Sequence, residues 1–158
     1  MSWMIHYHPT TSRTQLSDME LSPPMTQTAP SRVPLVDYLA LEPEPHLVAQ
    51  ECTNCGARYF DHRDACASCF EDSFKAVDVP TTGEVTAFTI VSYAPPGVDA
   101  PFVGAIVDCG GTPVRANLRE VEPTPDAVSL GMKVALTTYS LGTDTAGTEA
   151  IGFGFAPA

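Results

Sequence analysis

Four of the five cysteines fall in two Cys-x-x-Cys pairs, Cys52-Thr-Asn-Cys55 and Cys66-Ala-Ser-Cys69, separated by ten residues. A Zn2+ ion takes four thiolates in a tetrahedron at about 2.3 Å, and each such turn presents two sulfurs on one side. Two turns therefore fill the shell and leave no position for a reactive water, so the chemistry expected of the set is structural and not hydrolytic. The spacing predicts a zinc ribbon held by Cys52, Cys55, Cys66 and Cys69. On residue types alone, two disulfides or a redox dithiol are the alternatives. Disulfides suit a secreted chain, whereas Met1 to Ile5 opens no signal peptide and the expected compartment is the cytoplasm. A thioredoxin-like site needs one pair opening a helix after a strand; here two pairs share a polar loop. Gly56 follows the first pair and permits the positive φ that such a knuckle uses, while Phe70 holds the equivalent place after the second.

Other reactive groups are sparse. An acyl-transfer site needs an activated nucleophile, a base and oxyanion donors. No histidine occurs after His62, so the fifth cysteine, Cys109, has no imidazole downstream of it, and it reads as a small buried hydrophobe in a strand. Asp108 points to the opposite face of that strand. Glu84, Asp99, Glu120, Glu122, Asp126, Asp144 and Glu149 sit mostly at turns and strand ends, where solvated carboxylates are ordinary.

The elements that position the cysteines follow from pattern. Residues 1–32 mix Thr, Ser, Pro, Met and Gln without period and predict a disordered or extended arm, in which His6 and His8 read as solvated. Residues 33–50 predict a short amphipathic helix from Val33 to Leu41, starting near Pro34, then a lead-in strand around Leu47 and Val48. Residues 51–77 form the ribbon, with Arg58 to Asp64 at its tip and a connecting strand from Phe74 to Pro80. A turn is expected at Thr81-Thr82-Gly83. Residues 78–158 hold five strand candidates: Glu84 to Tyr93, Phe102 to Cys109, Thr112 to Leu118, Lys133 to Tyr139 and Ala150 to Phe155. Gly110-Gly111 is a two-residue hairpin signal, and Arg119 to Met132 leaves room for a short helix or turn. Five strands with a capping segment after the third match the OB-fold barrel. The fold class is thus mainly β: a short N-terminal helix, a zinc ribbon and a five-stranded OB-fold.

The totals narrow the function. A formal charge of -11 with only eight Lys and Arg opposes polyphosphate binding, and the segment from Asp78 onward holds three cations against nine acids. Nucleic-acid binders draw most of their affinity from neutralised phosphates, so a nucleic-acid module is the poorer reading. No run approaches the roughly 18 apolar residues that would span a bilayer.

The order of parts resembles the DUF35 family, an acyl-CoA-associated zinc-ribbon and OB-fold family. The likeness runs from about Val33 to Pro157, through the four paired cysteines, Gly83, Phe88 and Thr89, Pro101-Phe102-Val103, Gly131-Met132-Lys133-Val134 and Phe155. It departs from the family pattern at Tyr59 to Arg63, where prolines often precede an arginine, and at Phe70, commonly a glycine. The resemblance implies a rubredoxin-like ribbon and a non-catalytic accessory subunit of a thiolase-superfamily enzyme (thiolase, acyltransferase or aldolase) acting on acyl-CoA thioesters. The catalytic Cys and His would belong to the partner, in a hetero-oligomer of even stoichiometry, with acyl-CoA at the shared interface. Tyr38, Leu39, Tyr59, Phe60 and Arg63 are then candidates for partner contact. Arg115, Arg119 and Lys133 either meet coenzyme A phosphates or pair with surface acids. A free-standing acyl-CoA-binding protein is the remaining alternative.

Overall fold

The computed structural model describes residues 31–158; residues 1–30 of the expected arm, with His6 and His8, lie outside them. Ten strands follow in order: β1 (Arg32–Pro34), β2 (Leu39–Ala40), β3 (His46–Cys52), β4 (Arg58–Tyr59), β5 (Phe74–Val79), β6 (Thr82–Val91), β7 (Phe102–Cys109), β8 (Thr112–Leu118), β9 (Lys133–Thr143) and β10 (Glu149–Pro157). Among the described residues there is no helix, and none that is long and apolar enough to cross a membrane.

The helix expected over Val33 to Leu41 is replaced by β1, a turn and β2. A two-turn helix meets an unfavourable nucleation step and gains few hydrogen bonds. Here the backbone finds better partners in the sheet. Arg32 to Pro34 run parallel to Glu149 to Ile151, and the Leu35 N–H donates to the Ile151 carbonyl at 2.8 Å. The apolar residues consequently face both ways: Val33 and Leu35 outward, Leu39 into the core.

β3 is the spine of the ribbon sheet. It pairs antiparallel with β5 from Leu47↔Val79 to Cys52↔Phe74, with β4 at Gln50↔Tyr59 and Glu51↔Arg58, and with β2 at Leu39↔Leu47. The second sheet closes on itself. β6, β7 and β8 form an antiparallel meander, β8 meets β10 in parallel at Phe155↔Leu118, β10 pairs antiparallel with β9, and β9 returns to β6 at Thr82↔Ala135 and Glu84↔Lys133. This five-stranded closed path is the OB-fold barrel, with β1 as an extra strand on β10.

Each expected barrel strand is present. β7 and β8 begin and end where pattern places them, while β6 starts and ends two residues earlier and β9 and β10 run longer. Thr82 and Gly83 are therefore strand residues and not a turn. A Cβ at Gly83 would stand 2.6 Å from the Asp108 carbonyl oxygen, so close strand approach explains the glycine. Gly110 and Gly111, at φ 61° and 83°, make the tight β7–β8 hairpin that needs positive φ at both positions. Residues 119–132 form irregular turns that insert Val128 into the core.

One apolar core serves both sheets: Leu39, Leu47, Ala49 and Val79 from the ribbon side pack in the same cluster as Val85, Val107, Val114, Ile151 and Phe155. Such continuity makes the ribbon and barrel energetically coupled, because neither buries its inner face without the other.

Candidate metal centre

The two knuckles are built alike. In the first, the Gly56 N–H donates to the Cys52 carbonyl at 2.9 Å and the Cys52 N–H to the Ala57 carbonyl at 2.9 Å. In the second, the Phe70 N–H donates to Cys66 at 2.8 Å and the Cys66 N–H to Glu71 at 2.7 Å. Gly56 at φ 75° and Phe70 at φ 67° occupy the same left-handed corner, so the second knuckle keeps its shape despite lacking a glycine. A side chain there is strained by about 1–2 kcal/mol, and Phe70 gains little packing in return at 83% exposure. Phe70→Gly is expected to raise holo-protein stability by about 1 kcal/mol, part of the relief being offset by greater freedom of the unfolded chain. A thermal midpoint unchanged or lowered would contradict this.

All four ligand sulfurs lie within 4.8 Å of one another, and Cys52–Cys69 and Cys55–Cys66 are each 3.5 Å apart. A tetrahedron with arms of about 2.3 Å has edges of roughly 3.8 Å, so the set fits one zinc ion closed on all sides by thiolate. The cofactor is structural Zn2+. Two of the sulfurs are already biased toward the charged form that metal binding requires. The Tyr59 hydroxyl donates to Cys66 Sγ at 3.5 Å and the Ser68 N–H at 3.4 Å; chiefly through Tyr59, Cys66 is brought down to about 6. Cys69 is lowered foremost by the Asn54 side chain. At Cys55 the Ala57 N–H favours the thiolate, yet crowding by the sulfurs of Cys69 and Cys66 outweighs it and pushes the group to about 12. Four adjacent thiolates need a cation among them.

Tyr59, a candidate for partner contact, is half-buried beside the metal centre, with its hydroxyl 3.5 Å from Cys66 Sγ. Its ring meets Phe74 edge-on at 6.1 Å and carries the Arg63 guanidinium at 5.0 Å. Leu39 is withdrawn from any partner: it is 2% exposed, because β2 turns it into the common core. Tyr38, Phe60 and Arg63 do share one feature, a groove of about 730 Å3 between residues 35–38 and the ribbon loop.

Sequence reasoning missed a link behind the metal. Arg58 Nε bonds Glu51 Oε2 at 2.7 Å, its Nη1 donates to the buried Thr112 hydroxyl at 3.0 Å, and Lys75 Nζ reaches Glu51 Oε1 at 3.0 Å. Lys75 first, and Arg58 second, hold the Glu51 carboxyl below its usual range. The cross-strand pair Glu51↔Arg58 was readable once the hairpin was assumed. Thr112, which docks the ribbon on β8, carried no such signal.

The three cations considered for coenzyme A phosphates diverge. Lys133 Nζ bonds Glu84 Oε2 at 2.5 Å, and the Arg119 guanidinium stacks 4.3 Å over Tyr139. Arg115 lines a groove of about 460 Å3 on the β6–β8 face with Phe88, Gly104 and Ile106, and neither of the other two lines it.

Cys109 is fully buried, and its thiol is pushed up to about 11 by burial and, secondarily, by the charge of Asp108. It stays protonated at pH 8, where attack by a thiol requires the thiolate. Iodoacetamide at pH 8 is therefore expected to leave Cys109 of the folded holo-protein unmodified by peptide mass mapping; rapid labelling would contradict the burial.

Comparison with known proteins adds identity to this geometry. The family model described as the ChsH2 rubredoxin-like zinc ribbon domain matches residues 40–75, and that of the ChsH2 C-terminal OB-fold domain matches residues 76–138. No match is found among curated proteins. A chain from a structure titled "Ltp2-ChsH2(DUF35) aldolase" is 27% identical, with a TM-score of 0.54, covering 71% of this chain and 84% of that one. A crystal structure of a DUF35-family protein of unknown function from Sulfolobus solfataricus is 16% identical, with a TM-score of 0.41, covering 68% and 75%. The two matched domains abut, follow the order of the ribbon and barrel, and together span more than half of the sequence, so the chain belongs to the DUF35 family of zinc-ribbon and OB-fold proteins.

Proposed function

We propose that this chain is the non-catalytic accessory subunit of a thiolase-superfamily enzyme acting on acyl-CoA thioesters. The observation that carries the reading is the likeness, over 71% of this chain and 84% of the other, to a chain of an Ltp2-ChsH2(DUF35) aldolase. The state of Cys109 supports it, since a buried, protonated thiol is no acyl acceptor. In this reading the metal supplies rigidity: it clamps the ends of the ribbon, and the shared core and the Arg58–Thr112 bond carry that rigidity into the barrel. The subunit then offers a preformed surface to its partner at little ordering cost. Of the three cations, Arg115 is the candidate for a coenzyme A phosphate at the shared interface, because Glu84 and Tyr139 already engage the other two.

The test is to purify candidate thiolase-superfamily enzymes from the source cell alone and with this chain. Turnover of acyl-CoA is expected to rise at least about tenfold in the complex, with an even-numbered hetero-oligomer by light scattering. Equal turnover with and without the chain would overturn the reading. Hydrolysis of acyl-CoA by the isolated chain, lost in Cys109→Ser, would favour the free-standing alternative.

A further inference from the structure

We infer that the groove between residues 35–38 and the ribbon loop receives a basic segment, an Arg- or Lys-bearing loop, of the partner enzyme; the inference rests on the accessory-subunit reading above. The groove has an aromatic floor and an acidic rim. The Tyr38 and Phe60 rings meet tilted at 44°, with centroids 4.9 Å apart, and Tyr38 meets Phe153 of β10 edge-on at 6.0 Å, so the floor is anchored on the barrel. Val36, Val48 and Phe74 continue it. Around this floor stand Asp37, Asp61 and Asp72, all exposed.

The charges are unbalanced in a way that identifies the occupant. Among the described residues, none of these three carboxylates takes part in an ion pair. The two basic residues of the lining are otherwise engaged: Arg63 lies over the Tyr59 ring, and His62 faces Asp64 at 3.8 Å. Asp61 stands close enough to Tyr38 for its charge to help burial raise the phenol. Three carboxylates that form no ion pair among the described residues, Asp72 accepting only the Ser73 hydroxyl at 3.4 Å, complement a guanidinium or ammonium, which gains ion pairs at the rim and a cation–π contact at the floor. An acidic or phosphate-bearing occupant would meet repulsion there, as it would from the chain as a whole at -11. The surface also joins the ribbon to the β1–β2 segment, so a loop seated in it would hold both parts of the fold.

The experiment uses the full holo-chain and the thiolase-superfamily enzyme whose turnover it raises. Affinity is measured by calorimetry at low and high salt for the wild type, for Asp61→Lys/Asp72→Lys, and for Glu122→Lys as an exposed reversal away from the groove. The double reversal is expected to weaken binding at least about tenfold and to flatten its salt dependence, with Glu122→Lys within about twofold of wild type. Zinc content and thermal midpoint are read on each variant. Should the double reversal lose zinc, Asp37→Lys replaces it, being remote in sequence from both knuckles. Equal affinity for wild type and groove variants overturns the inference and leaves the accessory role standing. If no thiolase-superfamily enzyme binds the wild type, both fall together.

Discussion

Cys52→Ala is expected to hold far less than one zinc per chain and to lose cooperative folding of the ribbon. Cys52 is buried at the end of β3 and pairs across the site with Cys69 at 3.5 Å, so its removal opens a shell that three thiolates cannot close. Structural zinc in such sites contributes about 10–16 kcal/mol of apparent binding energy. That is comparable to the whole stability of a domain, about 5–15 kcal/mol. Damage should not stop at the ribbon, because Leu39, Leu47, Ala49 and Val79 belong to the barrel's own core. Elemental analysis and amide hydrogen exchange test both halves of the argument. The expected result is loss of protection over β2 to β5 together with a lower midpoint for the barrel strands. A variant with full zinc content, or with a barrel as stable as before, would contradict it. Metal removal should follow the same course, and should become easier as pH falls, since protons compete with zinc for the thiolates.

Phe155→Ala is expected to destabilise the holo-protein by about 3–5 kcal/mol, the cost of truncating a large buried aromatic and leaving a cavity. Phe155 is 0% exposed and sits where β10 meets β8 in parallel, opposite Leu118, and β9 at Leu136. Its carbonyl accepts the Arg119 N–H at 2.7 Å, a bond that alanine retains, so the loss reports packing at the barrel seam. Urea unfolding of zinc-loaded protein measures it. Val33→Ala, on the exposed added strand, should change stability by under about 0.5 kcal/mol in the same assay. A Phe155→Ala loss below about 1 kcal/mol would mean that the seam is not part of the cooperative core.

What could be read before the structure was short-range. The Cys-x-x-Cys turns place pairs of sulfurs by covalent spacing alone, Gly110-Gly111 announces its own turn, and the alternation of Val103, Ala105, Val107 and Cys109 needs only the two-residue period of a strand. The reading failed where distant partners decide. Val33 to Leu41 has a pattern compatible with a helix, yet Glu149 to Ile151, more than a hundred residues away, offers it a strand to join. Leu39 looked available to a partner, yet β2, paired with β3 at Leu47, turns it into the core.

The amino-acid sequence by itself therefore determined the four-sulfur metal shell, the barrel strands and the acidic character of the chain. These depend on spacing, two-residue periodicity and composition, all of them local or additive. Only the tertiary structure decided how the barrel closes, which of Arg115, Arg119 and Lys133 is already paired, and that three aspartates ring one aromatic groove. Those outcomes require residues far apart in the chain to meet, and the energy of such meetings comes from shared burial and charge pairing that no single stretch contains.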